Sequence, residues 1–270
     1  MHTWQWRTWS GLPYLTCSIL EHWFHGFFTQ HFWPRSPLEL ALVLQPNAEV
    51  YRVKQVHGNI VLNPSEIKTQ ENYLSSPLSV TQEAQGLLAE ADGLITEQPK
   101  QAVWVASADC TPVLIASTSG QVAAVHAGWR GTSAKIVPQA IARLQSQGSK
   151  IQDLRVAMGP AIAGAVYQVS NQVAAEVGAS IIPIESAESI LNSLHQLPNS
   201  PVSADPHPGR VRLDIRRVIA LQLEQLGISG DQVAIAPHCT YQEPEHFFSY
   251  RRDKLKKIQW SGIVSTKALL

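Results

Sequence analysis

Residues 103–131 have the sequence VWVASADCTPVLIASTSGQVAAVHAGWRG, in which three short apolar runs are separated by polar residues. The runs cover 103–108, 112–116 and 122–125, and the Ser-Thr-Ser-Gly segment at 117–120 is typical of a turn. Short apolar runs bounded by turns favour buried β-strands, although periodicity alone does not exclude a helix. The segment therefore predicts three buried strands.

Strands and helices alternate through the following part of the chain. Thr132 or Ser133 is the predicted N-cap of a helix, because a hydroxyl can accept from the free amides of the first turn. A second helix is predicted over 214–226, where apolar residues recur at helical spacing. Further strands are predicted at 154–158 and 233–236. This alternation is typical of the α/β class.

Length and composition favour one folded domain. The chain has 270 residues, of which 44% are hydrophobic and 16% are charged. Such a composition is opposite to that of disordered chains, which combine few apolar groups with high charge. Two polar stretches, 64–85 and 180–209, are predicted to be loops inserted into the same core. We therefore expect a single domain over residues 1–270.

The charge balance and the cysteines exclude several classes of protein. Lys plus Arg and Asp plus Glu both number 21, so the chain lacks the basic field of a nucleic-acid-binding protein. The apolar stretch 102–116 is interrupted by polar residues and is shorter than the roughly 18 residues of a membrane span. Cys17, Cys110 and Cys239 are too few for a disulfide framework. We expect a cytoplasmic protein without a nucleic-acid or membrane partner.

Reactive side chains are concentrated where the apolar runs end, and His57, Cys110 and His126 form one possible metal site. A thiolate and two imidazoles suit zinc or copper, and three protein ligands leave a fourth position for water or substrate. The spacing of these residues is not that of a zinc finger. Each of them is alternatively a buried or hydrogen-bonded structural residue. A further hypothesis makes Cys110 a nucleophile and His126 its base.

Two carboxylates and two larger side chains lie near these residues in the sequence. Asp92 and Asp109 could fix a histidine tautomer or act as general acid and base, although Asp92 also fits a simple turn. Trp129 offers a face for a planar substrate and Arg130 a bidentate contact for an anion. Packing and a structural ion pair are the alternatives. The aromatic and basic segment 247–253 either lines a pocket or belongs to the core.

In their order along the chain, these motifs resemble the YfiH/laccase-domain family. The family is also described as multicopper polyphenol oxidase-like or as a peptidoglycan editing factor. The similarity extends over about 55–253, whereas residues 1–50 diverge from the family pattern. The matching blocks are Gln-Val-His-Gly, Glu-Ala-Asp-Gly, Ala-Asp-Cys-Thr-Pro-Val, Val-His-Ala-Gly-Trp-Arg-Gly-Thr, Gly-Pro-Ala-Ile and Phe-Phe-Ser-Tyr-Arg-Arg-Asp.

The resemblance implies a single-domain α/β fold, a mixed β-sandwich flanked by helices in the order α-β-β-α. It implies a metal, zinc with copper as the alternative, on His57, Cys110 and His126. It also implies a purine nucleoside phosphorylase that acts on adenosine, inosine and methylthioadenosine and that deaminates adenosine. Its partners would be purine nucleosides and phosphate, and we expect a monomer.

The sequence-based hypothesis assigns roles around this metal. Cys110 and His126 are catalytic ligands, Asp109 is the proton carrier, Arg130 contacts phosphate, and Asp92 is a weaker catalytic candidate. Three other functions remain open at this point: a Cys-His hydrolase, deamidase or cell-wall precursor editing hydrolase; a polyphenol oxidase; and a non-catalytic nucleotide- or metal-binding module. The oxidase is disfavoured because oxygen chemistry with several electrons needs several coppers and many histidines.

Overall fold

A computed structural model describes residues 2–71, 88–183 and 186–268, and its centre is a pair of six-stranded mixed sheets. The first sheet contains the N-terminal hairpin and the C-terminal strand. Strands are numbered along the chain. In spatial order the first sheet comprises β1 (Trp4–Trp9), β2 (Leu12–Cys17), β3 (His25–Phe28), β15 (Gln259–Val264), β7 (Gln101–Ser107) and β4 (Glu49–Tyr51).

The second sheet is formed mainly by the middle of the chain. A separate three-stranded sheet lies later in the sequence and comprises β11 (Gln168–Ser170), β13 (Arg210–Leu213) and β12 (Val202–Ala204). In spatial order the second sheet comprises β14 (Val233–Ile235), β10 (Leu154–Met158), β8 (Thr111–Ser117), β9 (Val122–Ala127), β6 (Gly93–Ile95) and β5 (Val61–Leu62).

Helices cover the outer faces of the two large sheets. None of the helices in the described part of the chain is long and apolar enough to span a bilayer. The α-helices are α1 (Pro37–Leu44), α2 (Pro64–Glu71), α3 (Trp129–Ser133), α4 (Ile136–Ser146), α5 (Asn171–Gly178), α6 (Ala187–Gln196), α7 (Ile215–Gln225) and α8 (Tyr250–Asp253). Short 3-10 turns cover Ser18–Leu20, Gln30–Phe32, Ile151–Asp153, Gly164–Val166 and Gly230–Gln232.

The apolar residues divide into layers that confirm the predicted α-β-β-α sandwich. Val105 of β7 and Leu114 of β8 belong to one buried cluster between the two sheets. Ile115, on the opposite face of β8, packs with Ile141 of α4 and other helical residues. Trp104, on the outer face of the first sheet, packs in a third cluster with residues of α1. Alternation along each strand therefore supplies both an inner and an outer core.

Most of the predicted strands and the second predicted helix are confirmed. The runs predicted at 103–108, 112–116 and 122–125 lie in β7, β8 and β9, and 154–158 is β10. Helix α7 begins after Asp214, whose side chain accepts the N–H of Arg217. A carboxylate at this position satisfies a free first-turn amide and favours the helix dipole.

The predicted N-cap at Thr132 or Ser133 is wrong. Both residues lie inside the short helix α3, and the next helix begins only after Lys135, which has a left-handed φ of 57°. Thr132 is fully buried, so its position follows from packing and not from capping. The backbone therefore breaks between α3 and α4, a break that a continuous helical pattern does not reveal.

The two predicted loops contain regular structure. Residues 64–71 form α2, and the remainder of the first loop, 72–85, lies outside the described residues. The second stretch contains α6, whose N-cap Ser186 accepts the N–H of Ser189, and the strand β12. Ile190 and Leu194 are buried one turn apart on α6. Two buried apolar residues are sufficient to stabilise a mostly polar helix when they pack into a core formed by other segments.

Candidate active site

Strand register brings the predicted metal ligands to one edge of the second sheet. Thr111, the first residue of β8, pairs with Ala127, the last residue of β9. Cys110 immediately precedes β8, and His126 faces Pro112 across the same pair of strands. Asp92 precedes β6, which runs antiparallel to β9. Residues far apart in the sequence therefore meet where these strands begin or end.

His57, Cys110 and His126 converge at this edge. Their potential ligand atoms all lie within 4.8 Å of one another. The two imidazole rings are 4.8 Å apart between centroids and nearly perpendicular, with an angle of 82°. His126 is buried, Cys110 is partly exposed and His57 is exposed. The cluster is thus held by the protein on one side and open to solvent on the side of His57.

The carboxylate of Asp92 organises this cluster from the protein interior. Its Oδ2 accepts N–H groups from Val56 and Gly58, at 3.1 and 2.7 Å. Its Oδ1 accepts the His57 N–H at 2.9 Å and lies 2.8 Å from His126 Nδ1. Asp92 is fully buried, and burial favours its neutral form, but these hydrogen bonds hold its pKa below the ordinary value. One carboxylate therefore fixes the backbone at His57 and the imidazole of His126.

Two backbone features make room for the ligands. His57 has a left-handed φ of 61°, an uncommon conformation that the Asp92 hydrogen bonds to its segment compensate. Gly128 follows β9, and a Cβ placed on it would lie 2.9 Å from Cys110 Sγ and 3.3 Å from His57 Cδ2. A side chain at position 128 would therefore occupy the space in which the ligands meet.

Cys110 and His126 interact strongly in the metal-free protein. Burial raises the pKa of the Cys110 thiol, but the charge and hydrogen bonds of His126, with help from His57, lower it to about 6. Burial lowers the pKa of His126, whereas Cys110 and Asp92 raise it to about 9. At neutral pH the pair is thus a thiolate and an imidazolium. A thiolate is the form of cysteine that binds metals and reacts as a nucleophile.

The donor set fits a metal ion. Because Nδ1 of His126 is directed to Asp92, Nε2 is the nitrogen left for a ligand bond. One sulfur and two imidazole nitrogens suit zinc or copper, and a further position remains open toward solvent. Within the described ranges, this is the one group of three or more His, Cys, Asp or Glu residues arranged to hold a metal.

Asp109 lies beside the cluster, but its carboxylate is occupied by protein donors. Its Oδ1 accepts the Thr240 hydroxyl at 2.7 Å, and its Oδ2 accepts the Arg251 N–H at 2.6 Å. Its own carbonyl accepts the Ile162 N–H. These contacts connect the start of β8 to Ile162, Thr240 and Arg251. The structure therefore gives Asp109 a positioning function, whereas its role as proton carrier stays a prediction.

Trp129 and Arg130 begin helix α3 directly after the cluster. The Arg130 guanidinium carbon lies 4.4 Å from the centroid of the Trp129 ring, and Arg130 is exposed. Trp129 is partly buried against the helical core. Arg130 forms no ion pair with a described residue, so its charge remains available to an anion.

Tyr167 and Arg251 are site residues for which the sequence analysis assigned no role. The Arg251 guanidinium carbon lies 4.8 Å from the Tyr167 ring centroid. Burial, together with the charges of Cys110 and Asp109, raises the pKa of Tyr167 to about 12. The phenol is therefore protonated at neutral pH, and no described residue forms a hydrogen bond with its hydroxyl. The aromatic and basic composition of 247–253 was the available signal, and it did not identify the partner ring.

Cys239 and His25 are buried side chains with hydrogen bonds to the protein backbone. Cys239 is buried, and its Sγ accepts the Ala163 N–H at 3.2 Å. His25 is buried between the Cys17 N–H and the Trp23 carbonyl, and burial lowers its pKa to about 4. His25 is therefore not part of a second cluster of metal ligands.

A helix-flanked double sheet with a His-Cys-His cluster at one sheet edge is the arrangement of a laccase-domain protein. The chain belongs to the family described as multi-copper polyphenol oxidoreductase laccase, whose sequence model matches residues 35–264. The family resemblance identified from the motifs is thereby confirmed.

Comparisons with individual proteins support the same family. The chain is 49% identical over 266 residues to a purine nucleoside phosphorylase of Synechocystis sp., covering 97% of each chain. It is 30% identical over 171 residues to an adenosine deaminase from an unknown prokaryotic organism, covering 63% of this chain and 60% of the relative. The crystal structure of YlmD from Geobacillus stearothermophilus matches with a TM-score of 0.75 at 23% identity, covering 97% of this chain and 99% of YlmD. That structural match shows the fold.

Proposed function

We propose that this chain is a metal-dependent purine nucleoside phosphorylase that also deaminates adenosine. Its proposed substrates are adenosine, inosine and methylthioadenosine, together with phosphate. The observation that carries the proposal is the convergence of three potential ligand atoms within 4.8 Å at a sheet edge. The 49% identity to a relative named purine nucleoside phosphorylase supports the reaction class.

Zinc is the proposed metal, with copper as the alternative, held by His57, Cys110 and His126. When bound, such an ion acts as a Lewis acid and lowers the pKa of a water ligand to about 7. Asp92 holds the Nδ1 proton of His126, so that Nε2 faces the cluster. Gly128 leaves the space that an ion and its ligands require.

Phosphorolysis needs groups that hold phosphate and give a proton to the departing base. A phosphate oxygen forms a bond to the C1′ carbon of the ribose while the bond from C1′ to the purine N9 breaks. The electron pair stays on the purine, which must then take up a proton. Arg130, which is free of ion pairs with described residues, is a proposed phosphate contact.

We assign the proton donor to Tyr167 in place of Asp109. Both carboxylate oxygens of Asp109 already accept protein hydrogen bonds. The Tyr167 hydroxyl is protonated at neutral pH, has no hydrogen-bond partner among the described residues and lies within the field of the Cys110 charge. A hydroxyl that donates to a purine nitrogen would stabilise the negative charge that develops on the departing base.

The proposed deamination takes place at the same site and needs no phosphate. Water adds to the C6 carbon of adenosine, and ammonia leaves from that carbon to give inosine. The relative named adenosine deaminase supports this second activity. Polyphenol oxidation is disfavoured, because among the described residues a single ligand cluster is present, and that chemistry needs several coppers.

The function is tested by incubating the purified protein with adenosine, inosine and methylthioadenosine, with and without phosphate. Chromatography resolves free base, ribose 1-phosphate and the deaminated nucleoside, and elemental analysis measures the bound metal. The proposal expects free base only when phosphate is present, and inosine from adenosine in either condition.

Variants separate the proposal from its rivals. His57→Ala, Cys110→Ala and His126→Ala should each lose metal and purine turnover together. Turnover that persists in the metal-free wild-type protein but is abolished by alkylation of Cys110 would favour a Cys-His hydrolase. Adenosine binding without any product would instead favour a non-catalytic binding module.

A further inference from the structure

Arg251 carries a positive charge that no carboxylate among the described residues neutralises through an ion pair. Its Nη1 donates to the Gln168 carbonyl at 2.9 Å, so most of its five N–H donors remain unused. The neighbouring Arg252 is different, because it pairs with Asp253 and donates to several backbone carbonyls. Arg252 therefore stabilises the local structure, whereas the guanidinium of Arg251 is available to a ligand.

The position of Arg251 is fixed relative to the His57, Cys110 and His126 cluster. Its backbone N–H donates to Oδ2 of Asp109, the residue directly before Cys110. Its guanidinium lies over the ring of Tyr167, and its side chain is half-buried. The Tyr167 phenol is within the electrostatic range of both Cys110 and Arg251. Arg251 is therefore tied to the segment that carries the proposed ligand Cys110.

Arg130 approaches the same phenol from helix α3. Its charge, like that of Arg251, lowers the pKa of Tyr167 and opposes the effect of burial. Arg130 also lacks an ion pair with any described residue. Cys110 and Asp109 place negative charge near the same ring, but both carboxylate oxygens of Asp109 already accept protein hydrogen bonds. The two guanidinium groups are therefore the charged hydrogen-bond donors that remain for a ligand. Guanidinium groups with unused donors suit the oxygens of a phosphate group.

We propose that Arg251 binds the phosphate co-substrate and that Arg130 is its second contact. This assignment rests on the proposed phosphorylase function and identifies the residue that supplies the phosphate subsite. The guanidinium offers a planar pair of donors to two phosphate oxygens, and its partial burial strengthens the attraction. A third phosphate oxygen remains free to form the bond to C1′ of the nucleoside.

Binding and steady-state kinetics test the assignment with the same variants. Inorganic phosphate is titrated into the metal-loaded full-length protein by calorimetry, and phosphorolysis of inosine is measured over a range of phosphate and inosine concentrations. The variants are Arg251→Gln, Arg251→Lys and the control Arg155→Gln. Arg155 is also half-buried and donates to backbone carbonyls, but it lies near the opposite end of strand β10.

We expect Arg251→Gln to weaken phosphate binding and raise the KM for phosphate by about 10- to 100-fold, the range for one charge-assisted hydrogen bond. The KM for inosine should change far less, and Arg251→Lys should recover part of the loss. Arg155→Gln should bind phosphate like the wild-type protein. Thermal unfolding of each variant verifies that the fold is retained.

Two results would overturn the assignment: no phosphate binding by the wild-type protein, or equal phosphate affinity in wild type and Arg251→Gln. Equal increases in both KM values would also count against it, because they indicate a purely structural role. Wild-type protein that binds phosphate through Arg251 but releases no base from nucleosides would contradict the proposed function while supporting the phosphate site.

Discussion

Replacing Asp92 by asparagine removes one charge and leaves the side-chain shape nearly unchanged. In the native protein each carboxylate oxygen accepts two hydrogen bonds, from Val56 and Gly58 on Oδ2 and from His57 and His126 on Oδ1. An amide has one acceptor oxygen, so either orientation of asparagine loses two of these bonds.

The expected loss of stability is large because Asp92 is fully buried. Hydrogen bonds to a charged group contribute about 1.5–3 kcal/mol each, so two lost bonds lower the free energy of unfolding by about 3–6 kcal/mol. If the amide nitrogen faces His126, the imidazole proton moves to Nε2, which can then no longer bind a metal. Loss of such a carboxylate partner weakens metal binding by about 10- to 100-fold.

Zinc affinity is measured by competition with a chromophoric chelator at pH 7, and stability by urea denaturation. Asp205→Asn is the matched control, since Asp205 also accepts several hydrogen bonds, from Gln168, His207 and Arg212. This control should keep the wild-type zinc affinity. An Asp92→Asn protein that binds zinc as tightly as wild type would refute the reasoning, whatever its stability.

Three further predictions concern the ligand space and two titrations. Gly128→Ala brings a Cβ to 2.9 Å from Cys110 Sγ, so chelator competition should show zinc affinity at least about tenfold weaker, whereas Gly230→Ala, with nothing within 4 Å, should match wild type. Because the pKa of Cys110 is about 6, alkylation of the metal-free protein by iodoacetamide should reach half its maximal rate near that pH, and a midpoint near 8.5 would contradict this. The unfolded chain protonates His25 near pH 6.5, but the folded protein does so only near pH 4. The free energy of unfolding should therefore decrease as the pH is lowered from 6.5 to 4. Urea denaturation of His25→Gln should show a smaller decrease, and an unchanged decrease would contradict the assignment.

The inner strands of the two large sheets could be predicted from the sequence, because they are apolar on both faces. Val103–Val105, Val113–Ala116 and Val122–Val125 are fully buried, and runs of this kind are distinct from amphipathic surface elements. Helix α6 was missed for the opposite reason. Its sequence is mostly polar, and its place follows from a core that is assembled by distant segments.

The candidate ligands could be predicted from residue type and motif, but their supports could not. His57, Cys110 and His126 have side chains that bind metals, and short blocks around them match a family pattern. The functions of Asp92 and Asp109 depend on hydrogen bonds that close only in three dimensions. Asp109, for example, accepts a hydrogen bond from the N–H of Arg251, which lies 142 residues later in the chain.

The account depends most on a single cation held by one sulfur and two imidazole nitrogens. X-ray absorption spectroscopy of zinc in the purified protein measures this set of ligands directly. The account predicts one sulfur at about 2.3 Å and two imidazole nitrogens at about 2.0–2.1 Å, and Cys110→Ala should purify without bound zinc. A zinc spectrum without sulfur, or with a second metal at about 3.5–4 Å, would contradict it.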